Sequence, residues 1–279
     1  MNLYNVINEI EKTDPEVYDR LDGRREALKR FTGFAGKVAA LSLPFMMGSM
    51  FKKAYGQNSS AIVGVLNFAL TLEYLEAEFY KKAVSTSGLI PASDMPGWTT
   101  LRDHEVAHVA FLRQAITALG GIPVIFTAAN FDFTAGNGTM SGPYATVFSN
   151  YDTTLAVSQA FEDTGVRAYK GQAGNLMSNN DILTAALQIH SVEGRHAAYV
   201  RYLRQKRGAT NNKPWITGND AGGIPGVAAV YAGEEITTQL GVQITGINGM
   251  SISANAASES FDEPLTKEQV LAIVDPFII

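Results

Sequence analysis

One pattern occurs twice in the chain, and it restricts what the chain can fold into. Glu73 is followed 32 residues later by Glu105 in the stretch HEVAH, and Glu162 is followed 31 residues later by Glu193 in EGRH. Each half therefore reads Glu, the length of a helix and a turn, then Glu-x-x-His: Glu105/His108 and Glu193/His196. The echo extends outward. Tyr80 lies seven residues after Glu73, as Tyr169 does after Glu162, and Phe111 and Arg113 follow Glu105 as Tyr199 and Arg201 follow Glu193. Positions three apart on a helix are neighbours on one face, so each Glu-x-x-His can turn an oxygen and a nitrogen toward a common point. Four carboxylates and two imidazoles spaced in this way form the ligand set of a dinuclear metal site inside a four-helix bundle.

Composition narrows the chemistry. The chain has no cysteine, which excludes disulfides, thiolate zinc sites and iron–sulfur clusters. Any metal must be held by nitrogen and oxygen, and two of the four histidines already sit in the repeat. A net charge of −5 argues against a nucleic-acid partner, which calls for a basic patch or stripe.

Three regions follow from the pattern along the chain. Residues 1–57 read as a leader: Arg24-Arg25 precedes a mostly apolar run from Val38 to Met50, and Ala54-Tyr55-Gly56 offers small residues before a cut at Gln57. These are the parts of a twin-arginine export signal, which would place the protein in the periplasm or cell envelope. The alternative is an N-terminal amphipathic helix that stays on a cytoplasmic protein. A membrane association would come only through this leader if uncleaved, because Lys37, Pro44 and Gly48 interrupt a run already short of the roughly 20 apolar residues a span needs. Residues 58–207 hold four helices, at about 60–86, 99–119, 151–176 and 181–207. Thr99 or Thr100 would cap the second, Gly120-Gly121 would stop it, and Asn179, Asn180 or Asp181 would cap the fourth. The Gly-, Asn- and Phe-rich stretch 121–150 suits a long crossover between helices two and three. Residues 208–279 read as an irregular arm with a short terminal helix opened by the capping box Thr266–Gln269. The arm is expected to dock on the bundle or to mediate self-association. The fold class expected is all-α.

Within this frame Glu73 stands in the most apolar stretch of the chain, where an ionised carboxylate is costly unless paired or bound to metal. Glu76, one turn on, could also face the centre; the matched tyrosine offset and the preceding apolar run favour Glu73. Glu78 projects away, Asp163 is expected on the flank, and Arg113 and Arg201 are expected in solvent or in salt bridges. Four glutamates carry −4, which two divalent cations neutralise. Oxygen-rich, nitrogen-poor, sulfur-free donors suit iron or manganese, so the cofactors expected are two Fe or Mn ions. Such ions handle small oxidants, dioxygen or peroxide. Tyr80 and Tyr169 could hydrogen-bond the site carboxylates or serve only as core aromatics.

The stretches LNFALTLEYLEAEFYKKAV, HEVAHVAFLRQAI, FEDTGVRAYKGQA and IHSVEGRHAAYVRYL resemble the ferritin-like superfamily, in particular its branch of ferritin-like domain proteins that includes desiccation-related members. The resemblance covers about residues 60–207 and implies a four-helix bundle with a long crossover. It also implies a metal ligand set of Glu73, Glu105, His108, Glu162, Glu193 and His196. Two other readings compete with a metal-oxidising or peroxide-consuming protein. One is a structural, stress-protective bundle that self-associates without turnover. The other is a zinc peptidase, because HEVAH is a literal His-Glu-x-x-His in which His104 and His108 would bind zinc. The second reading leaves the other half of the repeat unexplained.

Overall fold

The structure, a computed structural model, describes residues 59–209 and 211–279. The leader expected over residues 1–57 lies outside the described residues. Four long helices dominate: α1 (Ser59–Ser85), α2 (Met95–Ala118), α3 (Tyr151–Ala173) and α4 (Asn180–Lys206). α1 packs chiefly on α2, and α3 on α4, so the bundle is built from two helical hairpins. α1 is long and apolar enough to cross a membrane, yet most of it is buried inside the bundle. Its apolar residues occupy nearly every face because three sides meet protein, as expected for a core helix.

The helix ends follow local chemistry. Asn150 accepts from the backbone N–H groups of Asp152 and Thr153 to start α3, and Asn179 accepts from Ile182 to start α4. α2 starts earlier than expected, so neither Thr99 nor Thr100 caps it. Asp94 precedes its first turn, and Pro96 sits where a missing N–H costs no hydrogen bond. At its other end Gly120 adopts φ 78°, with Gly120 N–H bonded to Thr117 O and Gly121 N–H to Ile116 O. This paired closure satisfies carbonyls the helix leaves open, and the left-handed residue favours glycine. α3 ends at Ala173, and a 3-10 turn over Gly174–Leu176 carries the chain toward α4.

The crossover between α2 and α3 is ordered by one buried carboxylate and a run of phenylalanines. Asp132 accepts from the backbone of Thr134, Gly138 and Met140 and from the Thr134 hydroxyl. Phe133 and Phe148 pack their rings on Phe79 of α1. The C-terminus closes over the same segment, with Phe131 bridging Ile278 and Asp132 N–H bonded to Phe277 O.

The arm beyond α4 docks on the protein's own bundle. It contains α5 (Ala228–Tyr231), a two-residue hairpin β1/β2 (Thr238–Gln239, Val242–Gln243), α6 (Ala254–Ser258) and α7 (Lys267–Val274). The Thr266–Gln269 capping box forms at α7 as expected. Arg167 of α3, fully buried, reaches the carbonyls of Val230, Ala232 and Glu263 and pairs with Glu234 at 2.7 Å. At Gly171 the arm passes so close that a Cβ would stand 1.9 Å from Leu265 O, so only glycine fits this crossing.

Candidate metal centre

Each of the four long helices contributes to a polar cluster in the middle of the bundle. α1 supplies Glu73 and Glu76, α2 Glu105 and His108, α3 Glu162, and α4 Glu193 and His196, and all seven are buried. His108 Nδ1 lies 3.0 Å from Glu105 Oε2, 3.1 Å from Glu73 Oε2 and 3.2 Å from Glu193 Oε1. His196 Nδ1 lies 2.8 Å from Glu105 Oε1, 3.5 Å from Glu162 Oε2 and 4.0 Å from Glu193 Oε2. These contacts resolve into two donor sets, each drawn together within 4.8 Å: Glu73, Glu105, His108 and Glu193; and Glu105, Glu162, Glu193 and His196. The sets share Glu105 and Glu193. The geometry thus gives two adjoining positions, each with its own histidine and its own terminal carboxylate.

His108 pairs with Glu73 and Glu105, but much of the rest of these sets crowds together without pairing. Among the described residues, six buried side-chain polar atoms lack a hydrogen-bond partner, and five belong to the cluster: Glu105 Oε1, Glu162 Oε2, both Glu193 oxygens and His196 Nδ1. His196 Nδ1 stands 2.8 Å from Glu105 Oε1 but without hydrogen-bond alignment. Buried polar atoms are otherwise almost always satisfied, so lone pairs converging unpaired fit a cation between them. The donor chemistry agrees, since it is carboxylate with a minority of imidazole.

Electrostatics shows what the cluster costs when only protons fill it. Burial, and then the carboxylates around it, push Glu193 well above the usual carboxylate range. Glu105 rises to about 7 for the same first reason, against its contacts with His108 and His196. For Glu73 burial acts upward too, but the His108 imidazolium and hydrogen bonds from His108, Glu105 and Tyr169 hold its carboxyl below its ordinary value. Burial depresses both histidines, yet the carboxylates outweigh it. Led by Glu73 they lift His108 far above its usual value, and led by Glu162 they lift His196 to about 11. Protons thus do the neutralising that a metal pair would do.

Tyr80 and Tyr169 do bond site carboxylates, but across the bundle. Tyr80 donates to Glu162 Oε1 and lies 2.7 Å from Ser158 Oγ, whereas Tyr169 donates to Glu73 Oε1. Each tyrosine therefore holds the terminal carboxylate of the other half. Burial, then the adjoining carboxylate, keeps both phenols far from ionising, so both remain donors.

Glu76 is buried in the same core but falls in neither donor set. Burial and the charges of Glu193, Glu162, Glu105 and Glu73 push its carboxyl well above the usual range. In the repeat its counterpart is Gly165, three residues after Glu162. A Cβ at Gly165 would meet Glu193 Oε2 at 3.3 Å and Glu76 Oε1 at 3.4 Å. The absent side chain on α3 thus makes room for the extra carboxylate from α1. This mismatch between halves was readable in the sequence, though only as a glycine where the repeat asks for glutamate.

Other expectations separate. Glu78 pairs with Lys81 at 2.7 Å on the surface, and Arg113 is exposed. Asp163 is not on the flank. It is buried and receives Arg201 through Nε at 2.9 Å and Nη2 at 2.6 Å, with the Tyr231 hydroxyl at 2.7 Å. The register of α3 against α4 and the docking of the arm create this pair, and neither is visible as a local pattern. His104 lies outside both donor sets among the described residues, against the zinc-peptidase reading of HEVAH. Its Nδ1 faces the Nε2 of His196 at 2.9 Å.

No curated protein matches the chain significantly. The sequence pattern of the ferritin-like domain matches residues 61–206, which run from the start of α1 to the end of α4 and contain every member of the cluster. With four helices, a long crossover and a buried carboxylate–histidine cluster that could bind metal, the chain belongs to the ferritin-like domain family.

Proposed function

We propose that the chain binds two iron or manganese ions and uses them to oxidise metal or to consume peroxide or dioxygen in protection against oxidative stress. The observation that carries this reading is the pair of donor sets sharing Glu105 and Glu193. Glu73 and His108 would complete one position, and Glu162 and His196 the other. Four ionised glutamates balance two divalent cations, and the donor types favour iron or manganese. When bound, such a pair supplies reversible one-electron changes of oxidation state. The chain's own residues prepare the place. Tyr80 and Tyr169 fix the outer oxygens of Glu162 and Glu73, so the inner oxygens face the centre. Glu76 adds a further buried carboxyl beside Glu193, and burial raises it well above the usual carboxylate range.

Element-resolved metal analysis of the purified protein tests the reading. Close to two ions of iron or manganese per chain are expected, and a protein that stays empty after loading with Fe(II) overturns it. Glu105→Ala then separates chemistry from architecture: loss of peroxide consumption with an intact fold supports the activity. Export through residues 1–57 would place this chemistry in the cell envelope, and N-terminal sequencing of native protein checks that.

A further inference from the structure

The two halves of the centre differ at one bond. His196 turns Nδ1 into its donor set, and its other ring nitrogen, Nε2, lies 2.9 Å from Nδ1 of His104. The rings are 5.2 Å apart and within 15° of parallel, a separation that fits two imidazoles joined edge to edge by an N–H···N bond. A histidine that offers Nδ1 to a cation carries its proton on Nε2 and donates with it. His104 Nδ1 is then the acceptor, and its own proton rests on Nε2, on a residue exposed to solvent. In the other half the residue corresponding to His104 is Val192, immediately before Glu193, and valine has no acceptor to offer His108.

We propose that His104 is a positioning residue that fixes the ring orientation and tautomer of His196, and so makes the position containing His196 the tighter of two unequal metal positions. This rests on the dinuclear reading above. It also gives HEVAH a role for its first histidine: an outer brace from α2 to the ligand on α4, in place of a zinc ligand. Partners of this kind, which set the tautomer of a ligating imidazole, are worth about 10–100-fold in metal affinity.

The test titrates the full-length protein with Mn(II) and reads free aqueous Mn(II) by electron paramagnetic resonance. Wild type should show two unequal binding steps. His104→Leu, which removes the acceptor, should weaken the tighter step by about 10–100-fold and leave the other unchanged. His104→Asn, whose side-chain oxygen stands near the place of Nδ1, should stay close to wild type. Because His104 is exposed, melting of the metal-free variants should match wild type. Equal affinities in His104→Leu and wild type overturn the inference, as does an Asn variant as weak as the Leu variant, or a parallel weakening of both steps. If wild type itself takes up no Mn(II) or Fe(II), the dinuclear reading falls and this inference with it.

Discussion

Loading the centre with Mn(II) should expel at least two protons per chain at pH 8 and about one more at pH 6. The count comes from the donor groups that hold protons when no cation is there. His108 and His196 are lifted above neutrality by the surrounding carboxylates, and Glu193 is raised well above the ordinary carboxylate value by burial and its neighbours. Both histidines must shed a proton to act as ligands, and Glu193 adds its own wherever the raised carboxyl still holds one. Glu105, raised to about 7, contributes a further proton at pH 6 and little at pH 8. Glu73 is depressed and contributes none over this range. Two coupled protons make the combined affinity for the two ions rise by about two orders of magnitude per pH unit, or about 3 kcal/mol per pH unit shared between them. Isothermal titration calorimetry in buffers of different ionisation enthalpy counts the protons directly. Release of fewer than about one proton at pH 8, or a count that does not decline between pH 6 and 8, refutes the argument that protons and metal compete for one cage.

The same groups set the stability of the metal-free fold. Two histidines hold protons when folded that the unfolded chain, with an ordinary value of 6.5, releases. Metal-free protein should therefore lose stability as pH rises from 6 to 8, by about 1.4 kcal/mol per pH unit for each proton retained, while loaded protein should not; thermal melts with and without chelator decide it. Arg201→Met should cost about 3–5 kcal/mol in urea unfolding by stranding the buried Asp163 carboxylate, and adding Asp163→Leu should restore much of it; a double variant no better than the single would contradict this. Gly165→Ala should leave or slightly raise metal-free stability, since alanine is favoured over glycine in helices by about 1 kcal/mol. It should nonetheless weaken Mn(II) binding by displacing Glu193, and Glu76→Ala added to it should bring binding back. Tyr80→Phe should destabilise metal-free protein by about 1–3 kcal/mol by leaving Glu162 Oε1 with an unmatched lone pair, again read by urea unfolding.

The parts of the site legible in the sequence are those decided within one helix. Glu105 with His108 and Glu193 with His196 are spaced three apart, and that spacing alone turns both side chains the same way. Asn179 at the start of α4 and Gly120 at the end of α2 were legible for the same reason, because caps are settled by a few adjacent backbone groups. The tyrosines show the limit. Seven residues along a helix is about 10 Å, too far for Tyr80 to reach Glu73 on its own helix, so its hydroxyl serves Glu162 across the bundle. Only the packing of α1 against α3 decides that. Arg201 with Asp163, and His104 with His196, depend on inter-helix register in the same way. The start of α2 escaped because a threonine pair looked like a cap, whereas Pro96 had already taken the first turn.

The division of the bundle into two hairpins has a kinetic consequence. Each hairpin forms from contacts close in sequence and carries half of the centre: two carboxylates and one histidine, with Glu76 added on the first. Local contacts of this kind form early, and pairing distant segments comes later. The encounter of the two hairpins is then the moment at which the glutamates first meet, and it is electrostatically uphill unless cations or protons arrive with them. Assembly of the protein and filling of its centre become one event. Divalent metal present during refolding should act on the docking barrier itself, and the arm, whose Arg167 contacts span 63 to 96 residues, should latch only after that barrier is crossed.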